Sequence, residues 1–150
     1  MDPRNIPILA LMLVLAIGFL KILANYISIR KRKNFASEFS SKFSELVRKP
    51  EFDSQAYYWL TFNSAAMQTD LGVLGIVAYK PPAAGYIIQN YQVIVNLLPE
   101  LRREMTDGYR FGDSWLRKEY ANMCLDVLVR YLGVVDGWLQ DAKREMLNPF

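Results

Sequence analysis

The first third of the chain passes from an apolar run into an amphipathic pattern. Residues 6–20 carry no charged side chain, and after Lys21 the apolar run continues to Ile29. As an α-helix at ~1.5 Å per residue, residues 6–29 would extend about 36 Å, enough to cross a hydrocarbon core about 30 Å thick. The pattern therefore predicts one N-terminal transmembrane helix in which the long Lys21 side chain reaches the nearer interface.

The flanks of this run predict its orientation. Four consecutive basic residues follow it at positions 30–33, whereas residues 1–5 are nearly neutral. Because Lys and Arg accumulate on the cytoplasmic side of membrane helices, we expect the N-terminus outside and the rest of the chain in the cytoplasm, as in a bacterial inner-membrane protein. Tyr26, near the basic end of the run, fits the belt of aromatic residues that lies at the lipid headgroups. The residues assigned to topology and lipid contact are Lys21, Tyr26, Arg30, Lys31, Arg32 and Lys33.

A cleaved signal peptide and a buried helix of a soluble protein give a similar apolar run. The signal peptide is disfavoured by the weak basic charge before the run, by the lack of a small-residue cleavage site, and by the basic residues 30–33 directly after it. Those four basic residues would also attract anionic lipid, at on the order of 1 kcal/mol each. A topology determinant explains them more simply.

After the basic residues the pattern becomes that of a helical bundle. An apolar stripe at helical spacing predicts a helix over residues 34–48, which ends at Lys49-Pro50. Asp53 or Ser54 is expected to cap a second helix that ends before Gly72. The second helix is apolar around most of its circumference, which predicts a central, buried position.

The middle of the chain is less clearly patterned. Residues 71–79 are apolar and compatible with a strand or a helix, and we favour helix or irregular structure. Residues 80–85 (KPPAAG) predict a break, and residues 85–98 are typical of a buried helix. Pro99 is then expected to open a further helix that ends at Asp107-Gly108.

The last third predicts two helices. Asp113 or Ser114 would cap a helix that Gly133 ends as its C-cap, and Asp136 would cap the last helix, over residues 137–147. The predicted fold class is all-α: residues 1–33 form a transmembrane anchor with its basic flank, and residues 34–150 form a compact cytoplasmic helical bundle.

Charge and composition exclude several function classes. Residues 1–33 carry six basic residues against Asp2 alone, a net charge of +5, whereas the other 117 residues carry 12 basic against 14 acidic, a net charge of −2. The basicity therefore belongs to the anchor, and no nucleic-acid polymer is expected as a partner. The chain has no histidine and one cysteine, Cys124, which excludes His-activated nucleophiles, His-based zinc sites and an intramolecular disulfide.

The sequence contains no recognisable catalytic motif. Phosphate-binding glycine loops, GxSxG, HExxH, CxxC and calcium-loop patterns are all missing. Glu100 and Glu104 share a helix face, but they alternate with arginines as on a solvated surface. We predict a protein that is not an enzyme, with no catalytic residues, no cofactor and no metal site.

One cluster of side chains suggests an anionic ligand. Arginine supplies forked donors for phosphate and aromatic rings stack on bases, so the loop of residues 106–114 could hold a nucleotide or another anion. Neighbouring acidic residues favour ordinary surface ion pairing instead. The candidate residues are Arg102, Arg103, Tyr109, Arg110, Arg117 and Lys118.

These observations lead to two function hypotheses. The first is a membrane-anchored, non-enzymatic interaction module that self-associates or joins a membrane protein partner in an oligomeric inner-membrane assembly; 9 Tyr and 3 Trp fit such interfaces. The alternative is a membrane effector or sensor gated by a nucleotide or another anionic small molecule. In both, lipid is a partner.

Overall fold

The computed structural model describes residues 6–81, 84–107 and 114–148. Within them the chain is mostly helical, with four α-helices and a small two-stranded sheet. The elements are α1 (Ile6–Arg48), α2 (Ser54–Leu71), a 3₁₀ turn (Gly72–Gly75), β1 (Ile76–Tyr79), β2 (Ile88–Gln92), α3 (Val93–Asp107) and α4 (Ser114–Leu147). The predicted helical class is correct in outline, but the sheet was not predicted.

The chain forms two compact units. One contains Met1–Asn34 and Val134–Phe150, and the other contains Phe35–Gly133. The divisions fall inside α1 and α4, so each of these helices contributes residues to both units.

The second half of α1 supplies one side of the core of the 35–133 unit. Four of its side chains are fully buried, and Phe39 packs on Trp59 of α2 with ring centroids 6.0 Å apart. This confirms the helix predicted over residues 34–48, which ends at Arg48 because Pro50 restricts the backbone that precedes it. The four buried side chains are Ala36, Phe39, Phe43 and Leu46.

The junction between α1 and α2 is held by Asp53. Its carboxylate accepts a hydrogen bond from the Ala56 backbone nitrogen at 3.0 Å and another from Lys49 Nζ at 2.6 Å. The first bond satisfies one of the free N–H groups at the start of α2. The predicted N-cap is therefore confirmed at Asp53, and α2 ends at Gly72, which adopts a positive φ of 52°.

The prediction of helix or irregular structure for residues 71–79 is wrong at its end, because residues 76–79 form β1. The predicted helix over residues 85–98 is also wrong in its first half, where β2 pairs antiparallel with β1. The register changes between Val77 and Tyr79, and Asn90 on β2 has a φ of 56°. One extra residue on β2 makes a β-bulge, and Asn is among the few residues that tolerate this left-handed conformation.

The buried Gln68 side chain joins three elements. Its Nε2 donates to the Gly75 carbonyl at 2.9 Å, and its Oε1 accepts from the Ile94 backbone nitrogen at 3.0 Å. The second bond satisfies a free N–H in the first turn of α3, so this turn has a capping partner that is 26 residues away in sequence. That partner explains why α3 begins at Val93.

Two predicted helix boundaries are wrong. Pro99 lies inside α3 instead of opening a new helix, because the apolar residues on both sides of it are buried on one stripe. Likewise, α4 continues through Gly133 and Asp136, which are neither a C-cap nor an N-cap. Burial of Tyr131, Val135 and Ala142 at helical spacing outweighs the cost of about 1 kcal/mol for an internal glycine.

Candidate functional site

The N-terminal part of α1 exposes a continuous apolar surface. Among the described residues, α1 is the one helix long and apolar enough to cross a membrane, judged by length and composition. Every side chain from position 10 to position 21 is exposed, with 60–65% exposure at residues 11–14. None of this apolar window is buried against another part of the described chain.

This exposed surface ends at Lys21, and half-buried side chains follow it along α1. Ile22, Leu23, Tyr26 and Ile29 are half-buried at helical spacing. On the α4 side, the inward-facing residues in this unit include the fully buried Val135 and Ala142. Two exposed aromatic and aliphatic side chains, Trp138 and Leu147, remain on the surface of the same segment.

The direction of α4 along α1 follows from two contacts. Lys33 pairs with Asp136, and a cleft of about 400 Å³ is lined by Asn25, Ser28, Ile29 and Arg32 from α1 and by Trp138, Asp141, Ala142 and Glu145 from α4. The later residues of α4 therefore lie beside the earlier residues of α1, and the two segments are antiparallel. Polar side chains of α4 therefore lie beside the second half of the apolar run of α1, from Ile29 back to Asn25.

Three of the residues predicted to hold an anionic ligand, Arg102, Arg103 and Arg117, have partners within the chain. Arg102 lies over the rings of Phe52 and Tyr57, at 6.0 and 5.2 Å from their centroids. Arg103 pairs with Glu100 at 2.5 Å. Tyr109 and Arg110 lie outside the described residues, and the ligand site remains a prediction.

Arg117 caps the C-terminus of α1. Its guanidinium donates to the Val47 and Lys49 carbonyls at 2.7 and 2.9 Å, two groups that have no partner further along the helix. The adjacent Lys118 is exposed. Arg117 and Arg102 both contact residues 47–57 at the α1–α2 junction. Arg103 does not belong to this group and lines a second cleft of the protein.

That second cleft is built around three buried tyrosines that the sequence did not single out. It measures about 370 Å³ and is bordered by Glu100 and Arg103 on α3. The Tyr79 and Tyr91 rings pack 4.6 Å apart, and Tyr120 of α4 lines the same space. The tyrosines meet through the β1–β2 pairing, so no local pattern could have brought them together.

The Tyr79 and Tyr91 hydroxyls stay neutral in this cleft. Burial raises the pKa of Tyr91 to about 12 and also raises the pKa of Tyr79, to which the neighbouring Tyr120 adds. The Tyr79 hydroxyl lies beside Tyr120 but makes no hydrogen bond of normal geometry among the described residues. Neutral hydroxyls beside Arg103 are suited to donate hydrogen bonds to an oxygen anion.

Cys124 is fully buried on the apolar stripe of α4, and burial raises the pKa of its thiol. A buried neutral thiol is a poor nucleophile and a poor metal ligand. Among the residues that the structure describes, no group of three or more Cys, Asp or Glu side chains is arranged to hold a metal ion.

Comparison with protein-family models, with curated proteins and with solved structures finds no match to this chain.

Proposed function

We propose that the chain is a membrane-anchored, non-enzymatic interaction protein that acts as a subunit of an oligomeric assembly in the inner membrane. The observation that carries the proposal is the exposed apolar surface of α1 over residues 10–21. Apolar surface of this extent is unfavourable in water and favourable in lipid. The basic residues 30–33 favour a cytoplasmic position for the 35–133 unit.

The proposed membrane boundary lies near Lys21. Residues 6–21 would extend about 24 Å as a helix, somewhat less than the ~30 Å hydrocarbon core, and the Lys21 stem together with local thinning of the bilayer makes up the difference. A boundary at Ile29 would draw the charged residues Asp141 and Glu145 of α4 into the hydrocarbon, at a cost of several kcal/mol.

Extraction of membranes at alkaline pH tests the anchor. The chain should stay in the membrane pellet, whereas a variant with Leu13→Lys and Ile17→Lys should move to the supernatant. Asn34→Lys, which adds charge at an exposed position outside the apolar surface, is the matched control and should stay in the pellet. Release of the unmodified chain would contradict membrane anchoring.

An apolar stripe on α2 supports the interaction role. Phe62 is 87% exposed, and Tyr58 lies one turn before it on the same face and is also exposed. Isolated exposed apolar side chains are ordinary, but large ones aligned along one helix face are typical of protein interfaces. We assign this stripe to contact between copies of the chain.

Mass measurement in mild detergent tests self-association. The unmodified chain should form a defined oligomer, and Tyr58→Ser with Phe62→Ser should shift the population towards monomer by at least tenfold in dissociation constant. Thr61→Ala, at an exposed polar position of the same helix, should leave the mass unchanged. A monomer with no co-purifying protein would contradict the proposal.

The tyrosine cleft favours one second candidate function, binding of an anionic small molecule as the signal for a membrane effector. It places Arg103 next to neutral tyrosine hydroxyls. The test adds inorganic phosphate, a nucleotide and a small carboxylate separately. At least one of them should raise the melting temperature of the chain. Arg103→Gln should abolish that rise, and Lys143→Gln, at an exposed position outside the cleft, should preserve it. No rise with any of the three would reject this candidate.

A further inference from the structure

The cleft between α1 and α4 in the unit formed by Met1–Asn34 and Val134–Phe150 has two chemically different walls. The α1 wall presents the Asn25 amide, the Ser28 hydroxyl and the Arg32 guanidinium, which are hydrogen-bond donors suited to a phosphate. The α4 wall presents two carboxylates, Asp141 and Glu145. Such a pair of walls matches a ligand that carries a phosphate and an amine on one short scaffold.

The order of residues on each wall is regular. Asn25, Ser28 and Arg32 are spaced by three and four residues and so share one face of α1; Asp141 and Glu145 are spaced by four on α4. Asp141 also accepts from Arg144 at 3.1 Å, an exposed pair that a bound amine can replace at little cost.

Trp138 stands at the same cleft and adds two properties. Its indole is 43% exposed, which leaves ring surface accessible to a ligand. Trp rings are the strongest aromatic partners for ammonium groups and are enriched at the membrane interface, where one face contacts lipid and the N–H contacts water.

The position of the cleft along α1 fits a lipid headgroup. Asn25 lies about 6 Å and Arg32 about 16 Å beyond Lys21 along the helix axis. The headgroup layer on each side of the hydrocarbon core is roughly 5–8 Å thick, so a boundary near Lys21 places the Asn25 end of the cleft within that layer. The cleft of about 400 Å³ lies within the range of small-molecule sites.

We propose that this cleft binds the headgroup of a phospholipid that carries a primary amine, with the phosphate at the Asn25 end of the α1 wall and the amine between Trp138 and the carboxylates of α4. This inference rests on the membrane anchoring proposed above. A lipid with no amine leaves Asp141 and Glu145 facing the phosphate, and a trimethylated amine cannot donate hydrogen bonds to them.

Lipid retention by the full chain tests the assignment. The chain is purified in detergent doped with equal amounts of phosphatidylethanolamine, phosphatidylcholine and phosphatidylglycerol, and the lipids that remain bound are counted by native mass spectrometry. We expect phosphatidylethanolamine to be retained at least fivefold over each of the others. Equal retention of the three lipids would overturn the headgroup site while leaving the anchor intact.

Variants identify the cleft as the origin of the preference. Asp141→Asn with Glu145→Gln should remove the preference, and Trp138→Leu should weaken it, with helical content unchanged by circular dichroism because all three side chains are exposed. Glu38→Gln with Glu51→Gln removes the same charge at exposed positions elsewhere and should keep the preference. A preference that survives the cleft variants would overturn the assignment.

Soluble headgroup distinguishes a lipid from a free metabolite. Phosphoethanolamine without acyl chains should raise the melting temperature of the chain much less than the same concentration of phosphatidylethanolamine, because it lacks the membrane part of the contact. An equal rise would assign the cleft to a soluble ligand and overturn the lipid assignment. Failure of the unmodified chain to partition into any vesicle, whatever its lipid, would instead reject the anchoring on which the inference rests.

Discussion

Lys33 of α1 and Asp136 of α4 form an ion pair in which Nζ and Oδ1 are 2.5 Å apart. Both side chains are partly exposed, so the pair contributes little to stability, but it marks the register of the two helices. From this pair onward the end of α4 runs back along α1 towards Lys21. The charged end of α4 consequently lies beside residues 25–32 of α1, and this relationship moves the proposed membrane boundary from Ile29 to Lys21.

The C-cap formed by Arg117 gives a prediction about stability. Arg117→Ala removes two hydrogen bonds to helix-terminal carbonyls and should lower the free energy of unfolding by about 1–3 kcal/mol, whereas Lys118→Ala should change it by less than about 0.5 kcal/mol. Thermal or urea unfolding in detergent measures both. Equal effects of the two variants would show that the carbonyl contacts of Arg117 are unimportant.

Two glycines are predicted to respond to alanine in opposite directions. At Gly75 a Cβ would lie 2.5 Å from Gln68 Nε2 and 2.9 Å from Leu71 Cβ, so Gly75→Ala should destabilise the chain by about 1–3 kcal/mol. At Gly133 a Cβ meets nothing within 4 Å and the backbone is helical, so Gly133→Ala should stabilise it by about 0.5–1 kcal/mol. Destabilisation by Gly133→Ala would indicate that the helix ends there after all.

The Asp53 cap predicts a loss of stability in acid. The hydrogen bond from the Ala56 backbone and the contact with Lys49 lower the pKa of Asp53 below its usual 3.8. The cap therefore contributes fully above pH 3.8 and its contribution is lost as the pH falls through the lower, folded-state pKa. The difference in melting temperature between the unmodified chain and Asp53→Ala should be largest at neutral pH and shrink below pH 3.8. Glu51→Ala is the control and should change the melting temperature less than Asp53→Ala. A change in melting temperature for Asp53→Ala that is independent of pH, or as small as that for Glu51→Ala, would contradict the role of Asp53 as a cap.

The buried tyrosines predict an alkaline transition. Because burial raises the pKa of Tyr91 to about 12, its neutral form stabilises the fold below the usual value of 10.0, and this contribution is lost as the pH rises from 10 towards 12. Absorbance titration of phenolate in detergent should show a late-ionising class of tyrosines that shrinks in Tyr91→Phe. Ionisation of all tyrosines together near pH 10 would count against the buried cleft.

The features that local sequence predicted correctly have local causes. The cap at Asp53, the stop before Pro50 and the end of α2 at Gly72 each depend on residues within one helical turn. The apolar segment of α1 is equally local, since its composition and length are visible in the sequence.

The features that sequence reasoning missed depend on distant partners. The strands β1 and β2 form because they pair with each other around the bulge at Asn90, and α3 starts where Gln68 provides a cap from another helix. In α4 the local stop signal at Gly133 is overridden by burial on both sides of it. The tyrosine cleft follows from the same strand pairing and was missed for the same reason.

A cysteine accessibility scan in reconstituted liposomes tests the membrane anchor and its boundary near Lys21 most directly. Single cysteines are placed at successive positions from 10 to 33 in a Cys124→Ala background and labelled with a charged, membrane-impermeant maleimide. We expect protection at positions 10–20 and labelling at the exposed positions 24, 25, 28 and 31. Protection that continues to position 29 would contradict a boundary near Lys21, and labelling at every position would contradict membrane insertion itself.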